Sequence, residues 1–306
     1  DEINNMTFYQ YEVLNKSSFR LTDCYFAYWV DPDVGCATDD IVGCDVSLGL
    51  GIAYNSQDVD CPNGDNSYGN RPPAVGIDFF LGPKADPNGL DDTVTYNGTG
   101  YDDGIIDNER LGMEKFMIFR NNSTPQGNPF NATHFYNYVR GIWKDGTPLV
   151  YIGNGFGYGS GTPCNFAVPG TSDPDNPTNW VMSVPDDWRI IQSAGPFTLE
   201  PGDYNNITLG VVWARALGGN PFESVELLRL ADDKAQSLFD NCFELVNGPD
   251  APDVTVQELD REIILMLSND NPSSNNYHEQ YTEFDPSIPE ELLDGTPLTK
   301  IGRAHV

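Results

Sequence analysis

The sequence predicts a mainly β protein: an antiparallel β-sandwich of jelly-roll type with long loops, then one amphipathic helix, then the start of a further β domain. Three observations carry that expectation. Between Phe19 and Trp213 the apolar residues come in short runs separated by Gly, Pro, Asn and Asp, the pattern of strands joined by turns. Ile207, Leu209, Val211 and Trp213 alternate with Thr208, Gly210 and Val212, so that one face of a strand can meet a core. No helical period separates the apolar runs, as the crossovers of a parallel sheet would require.

Taken in order, the expected strands cover residues 19–29, 48–54, 75–81, 115–119, 149–152, 190–193, 197–199 and 206–213, the last entered through the turn Glu200-Pro201-Gly202-Asp203. Residues 82–112 and 153–187 are long for sandwich loops, and loops of that length are functional or held by something other than a core. After Gly218-Gly219 the period changes. Val225, Leu228, Ala231, Ala235, Leu238 and Cys242 recur at steps of three and four, with Pro221 near the start and Glu223 and Glu226 in the first turns, which specifies an amphipathic helix packed on the sandwich. Val254 and Val256, then Ile264 and Leu267, read as two strands opening another β domain. The expected organisation is a sandwich domain with acidic loops over residues 1–219, helix and linker over 220–248, and a truncated domain over 249–300. The last six residues, IGRAHV (301–306), read as translated sequencing adapter, so His305 is given no role.

Composition narrows the partners. The 306 residues carry 46 acidic against 16 basic side chains, a formal charge of -30, which repels a phosphate backbone and argues against nucleic acid. No run approaches the roughly 18 apolar residues of a membrane-spanning helix. Six cysteines without a C-x-x-C pair favour disulfides in an oxidising compartment over zinc, and Cys36 and Cys44, which flank a short acidic stretch, are the expected pair.

The asymmetry among the acids bears most on function. Residues 13–199 hold 21 aspartates and only two glutamates. Short Asp side chains suit turns, and with backbone carbonyls they supply the oxygens that Ca²⁺ takes in six- to eight-fold coordination. Two stretches concentrate them. In "WVDPDVGCATDDIVGCDV", Asp31, Asp33, Asp39, Asp40 and Asp45 would converge if the chain between the cysteines folded back on itself. Like charges that close repel unless a cation or hydrogen bonds intervene, so the alternatives are a divalent ion or capping of turn amides. In "YNGTGYDDGIIDNERLGM", Asp103 precedes Gly104 and Asp107 follows four residues on, a partial match to a calcium loop that Asn97, Asp102 and Glu109 would complete, with a solvated turn as the alternative. Arg110 at the twelfth position rules out a standard EF-hand.

Catalysis has thin support. His134 sits among aromatics and reads as a packed structural histidine, and the run "GNGFGYGSGTP" lacks the Lys of a phosphate loop. Trp143, Tyr158 and Trp180, near the glycine-rich loops, are the candidate saccharide-stacking residues, against the alternative that they are core.

The stretches "YFAYWVDPDVGCATDDIVGCDVSLGLGIAYN", "AVGIDFFLGP", "FYNYVRGIWKDGTPL" and "SAGPFTLEPGDYNNITLGVVWARA", the helix after them, and "APDVTVQELDREIILML" resemble large exported surface proteins of Bacteroidota over residues 18–285. The resemblance implies an extracellular or cell-surface location, type IX secretion and fibronectin type III-like repeats after the sandwich, and it implies no reaction. The expected function is therefore a non-catalytic structural or adhesive module with calcium-ordered acidic loops, whose partners are glycans or cell-surface proteins. The alternatives are a carbohydrate-binding module or a glycan-active hydrolase.

Overall fold

The structure, a computed structural model, describes residues 2–61, 67–243 and 249–281. The adapter-like residues 301–306 and the part of the truncated segment beyond residue 281 lie outside the described residues. The chain divides into two compact units, Asp1–Asp232 and Asp233–Val306.

The first unit is mainly β, as expected. Its strands are β1 (Met6–Leu14), β2 (Leu21–Val30), β3 (Asp40–Asp45), β4 (Leu50–Asn55), β5 (Ala74–Leu81), β6 (Lys115–Arg120), β7 (Trp188–Leu199) and β8 (Tyr204–Ala214). They form a five-stranded sheet in the order β1-β8-β5-β4-β3 and a three-stranded sheet in the order β2-β7-β6. Every pairing is antiparallel. The sheets face one another: Tyr28 Oη of β2 donates to the Ile77 carbonyl of β5 at 2.9 Å, and the Phe79 ring meets Tyr28 and Phe26 at centroid distances of 5.2 and 6.3 Å. Phe79, Ala194, Phe197, Ile207 and Leu209 fill one part of the interior, while Ile41, Val42, Ala53, Phe116, Met117 and Ile191 belong to the larger part.

Several elements depart from the expected boundaries. β1 is an edge strand paired only with β8 and mostly exposed, so it carries little of the burial pattern by which strands are read. β3 is made of residues that read as an acidic loop; Asp40 and Asp45 bracket a buried Ile41-Val42 pair. Residues 190–193 and 197–199 are one strand. Between the pairs Phe26↔Ala194 and Cys24↔Phe197, Gly195 and Pro196 of β7 stand against the single Tyr25 of β2. A bulge of this kind is where a sheet tolerates proline, so Pro196 does not end the strand. Residues 149–152 are not a strand but part of a layer over β6 and β7 that includes α1 (Ala132–Tyr138), capped by Asn131 Oδ1 accepting from His134 N at 2.9 Å. Because that layer covers the outer face of β7, Trp188 to Ala194 are all buried, and the strand shows a continuous rather than alternating pattern.

Helix α2 (Phe222–Asp240) starts where its period predicted. In the first unit Val225 and Leu228 are buried, and a Cβ added to Gly76 of β5 would lie 2.7 Å from Leu50 Cδ1 and 3.1 Å from Leu228 Cδ2, so glycine makes room there for both leucines. In the second unit the two expected strands are β9 (Asp253–Glu258) and β10 (Ile263–Ser268), which pair as an antiparallel hairpin. Its register places Val256 opposite Leu265 and Val254 opposite Leu267 on one face.

Candidate cation site at an acidic corner

The corner follows from strand pairing. β2 and β7 are antiparallel, with Val30 opposite Ile190, so the segment leaving β2 and the segment entering β7 emerge side by side. The first is Asp31-Pro32-Asp33 and the second is Asp186-Asp187. One carboxylate oxygen each from Asp31, Asp33 and Asp187 lies within 4.8 Å of the other two. The start of β3 closes the corner from the other sheet, where Asp186 N donates to the Asp40 carbonyl at 3.2 Å. Both sheets of the sandwich thus reach the same place.

Arg189 of β7, 9% exposed, is the counter-ion. Its Nη2 stands 2.9 Å from Asp31 Oδ2, and its Nη1 bonds the Asp187 carboxylate. One guanidinium against three carboxylates leaves an excess of two negative charges, the charge a divalent cation neutralises. Asp31 Oδ1 is buried and has no hydrogen-bond partner among the described residues. Burial pushes the Asp31 carboxyl up from its ordinary range, with Arg189 pulling the other way.

Asp40 is the second sign of an unmet charge. It is 2% exposed; Oδ2 accepts from Val34 N at 3.0 Å, beside Asp33, while Oδ1 is buried without a partner among the described residues. Burial pushes its pKa up to about 8, the Val34 amide opposes that rise, and the nearby charges of Asp39, Asp33 and Asp60 add to it. A side chain so placed is protonated at neutral pH unless positive charge arrives.

The hard oxygen donors fit Ca²⁺. Three oxygens need to lie within about 4.5 Å of one another to share a centre about 2.3–2.6 Å from each, close to the 4.8 Å bound met here, and the open side at exposed Asp33 leaves room for water to complete six to eight ligands.

The five aspartates expected to converge here do not. Asp40 and Asp45 lie at opposite ends of β3, roughly 16 Å apart at the rise of a strand, so no ion can hold both. Asp45 instead pairs with Arg229 of α2 at 2.9 Å and accepts from Ser47 N at 3.2 Å. Asp39 Oδ2 accepts from Cys61 N at 3.2 Å. The disulfide is Cys36–Cys61, Cα atoms 6.1 Å apart, and not Cys36–Cys44. Because residues 40–45 extend as a strand, Cys44 is carried into the core, where its thiol contacts the Ala167 carbonyl at 3.5 Å and burial holds its pKa well above the usual value. Asp60 ties down the disulfide loop, accepting from Cys36 N at 3.2 Å and Tyr68 N at 2.5 Å. Gly35, at φ +84°, is needed there, since a side chain would run into the Asp60 carboxylate. The grouping of Cys36, Asp60 and Cys61 is therefore not a metal centre, because both sulfurs are spent in the disulfide.

The second predicted cation loop uses its acids differently. Asp103 accepts from Ile105 N and Asn108 Nδ2, each at 2.8 Å, and Asp107 Oδ1 accepts from Asn88 N and Gly89 N at 2.7 and 2.8 Å. Buried Glu109 accepts from Asp92 N at 3.2 Å, Asn97 Nδ2 donates to the Val46 carbonyl at 2.9 Å, and Asp102 is exposed at φ 57°. No three acids of this loop come together within 4.8 Å. They are turn caps.

Two of the three expected stacking aromatics are internal, and Tyr158 is half-buried. Trp143 is fully buried and Trp180 is 4% exposed, so neither ring can stack on a sugar. Their indole nitrogens donate to the carbonyls of Gly157 at 2.8 Å and Gly155 at 3.2 Å, which is how the glycine-rich loop is held. Tyr158 lies edge-on to Trp143 and donates to Asp145 Oδ2 at 2.7 Å. His134 packs edge-on to Phe130 at 4.3 Å. Asp187 and Arg189 were missed from sequence. The signal was the Asp186-Asp187-Trp188-Arg189 run, but its meaning depends on knowing that β2 pairs with β7.

The fold and the corner together define a class: a β-sandwich whose two sheets meet at a charged, cation-sized cluster. No protein-family model, curated protein or solved structure matches the chain.

Proposed function

We propose that the first unit is a non-catalytic structural or adhesive module of the extracellular space or bacterial cell surface, ordered by Ca²⁺ at its acidic corner. The observation that carries this reading is the convergence of Asp31, Asp33 and Asp187 beside a buried Asp40 oxygen that has no partner among the described residues. Asp31, Asp33 and Asp187 would hold the ion, which supplies positive charge and joins the exit of β2 to the entry of β7. The Cys36–Cys61 disulfide supports an oxidising compartment. The resemblance to exported surface proteins supports the same location, with the β9–β10 hairpin as the start of a fibronectin type III-like domain. The partners on this reading are glycans or other surface proteins.

Thermal unfolding in chelator and in calcium tests it. Calcium at about 100 times its Kd adds about 2.7 kcal/mol, which for a domain of this size raises Tm by roughly 5–10 °C. A melting curve indifferent to both calcium and chelator refutes the reading.

A further inference from the structure

A groove on the far side of the sandwich from the acidic corner's chemistry has the character of a ligand site. It encloses about 700 Å³ between the loop after β5, the end of β7 and the start of β8. That volume lies within the range of small-molecule sites, roughly 300–1,000 Å³.

Its walls combine one open ring with polar groups fixed in place. Tyr204, the first residue of β8, is 56% exposed. The turn before it is rigid: Asp203 N donates to the Glu200 carbonyl and Asp203 Oδ2 accepts from Glu200 N, each at 3.0 Å. The Lys84 ammonium stands 5.7 Å from the Tyr204 ring centroid and has no carboxylate within ion-pair distance among the described residues. Asp86 is held by two bonds, from Thr198 N at 2.6 Å and Thr198 Oγ1 at 2.7 Å, so its orientation is set before any ligand arrives. Asn205 is 2% exposed and its Oδ1 accepts from Lys84 N at 2.7 Å, yet its amide nitrogen donates to no group among the described residues.

Charge selects the ligand class. Arg20 and Lys84 face Asp86, Asp107, Glu200 and Asp203 in the lining, and the whole chain carries -30. An anion would enter against that field. An apolar ligand would strand fixed donors and acceptors without partners. A neutral polyhydroxylated ring satisfies both constraints, with its C–H face on the negative face of the Tyr204 ring and its hydroxyls bonded to the carboxylate, amide and ammonium.

We infer that this groove is a subsite for a neutral saccharide, with Tyr204 as the stacking platform and Asp86, Asn205 and Lys84 as hydrogen-bonding partners. It is independent of the cation at the acidic corner and would give the module the chemical class of its partner.

The test is calorimetric titration of the full chain with neutral hexasaccharides of glucose, mannose and xylose, and with an oligogalacturonate as the acidic comparison. At least one neutral sugar should bind with Kd below about 5 mM, weakened by at least about tenfold in Tyr204→Ala and retained in Tyr204→Phe. Lys84→Met, an exposed position, should weaken it by about threefold or more and decides the matter if Tyr204→Ala fails to fold. The inference is overturned if no neutral hexasaccharide binds, if only the oligogalacturonate does, or if binding is unchanged in a folded Tyr204→Ala and in Lys84→Met.

Discussion

The acidic corner at residues 31–40 and 186–187 and the long loop at residues 82–112 start from the same material, closely spaced aspartates in turns, and differ in how many of their carboxylates find a donor. In the loop nearly every acid has an amide to accept from. Asp103 and Asp107 cap turns, Glu109 accepts from Asp92 N, and Asp91 Oδ2 accepts from Gly104 N at 2.7 Å, although Asp91 Oδ1 is itself buried without a partner among the described residues. At the corner Asp31 and Asp40 each keep a buried oxygen that nothing described donates to; Arg189 bonds Asp31 and Asp187 and Arg120 bonds Asp186, which leaves Asp33 without an arginine among the described residues. The difference lies in the backbone. A loop that turns repeatedly presents its own N–H groups to its side chains, whereas at the corner Pro32 has no N–H to give and the amides of Val34 and Asp187 go to Asp40 and Asp186, which leaves Asp31 and Asp33 short of donors. Density of aspartate alone therefore does not single out the proposed cation site; what distinguishes it is that its acids come from segments distant in sequence.

The largest effect should come from removing the corner's cation. Arg189→Met leaves Asp31 and Asp187 without their counter-ion and should destabilise the chelated protein by about 3–5 kcal/mol in urea unfolding, with calcium restoring part of the loss. If calcium restores none, the carboxylates need only the arginine. Next is the response to pH. In chelator the native state keeps on Asp40 a proton that the unfolded chain releases above its ordinary value of 3.8, so stability is greatest below that value and is lost as pH rises through about 8. Calcium, standing in for the proton, should flatten that slope; equal slopes with and without calcium would separate Asp40 from the ion. Smaller still, Asp107→Ala should lose two turn bonds and about 1 kcal/mol while leaving the calcium shift in Tm intact. The smallest basal change, within about 0.5 kcal/mol, is expected for Asp33→Asn, because Asp33 is exposed, yet this substitution should reduce the calcium shift sharply. A calcium shift that follows Asp107 rather than Asp33 would reverse the comparison.

Much of the fold was legible because it rests on local pattern. The alternation from Ile207 to Trp213 is β8, the three- and four-residue steps from Val225 are α2, and the Val254 and Ile264 runs are the β9–β10 hairpin. What failed depended on distant partners. β3 looked like a loop because Asp40 and Asp45 bound it, and its pairing with β4 is what makes it a strand. Cys36 meets Cys61, 25 residues on, because Asp39 and Asp60 tie the two ends of that loop together. Trp143 and Trp180 read from sequence as either stacking or core residues, and the core alternative holds because the neighbouring glycines supply the carbonyls that bind the buried indoles. Of the expected cation ligands only Asp31 and Asp33 belong to the triad, and Asp187 joins them from more than 150 residues away through the β2–β7 pairing.

Diffraction at long wavelength from crystals grown in calcium chloride tests the central claim most directly. An anomalous peak is expected about 2.3–2.6 Å from oxygens of Asp31, Asp33 and Asp187. A map featureless at that corner, with Arg189 alone bridging Asp31 and Asp187, would contradict it.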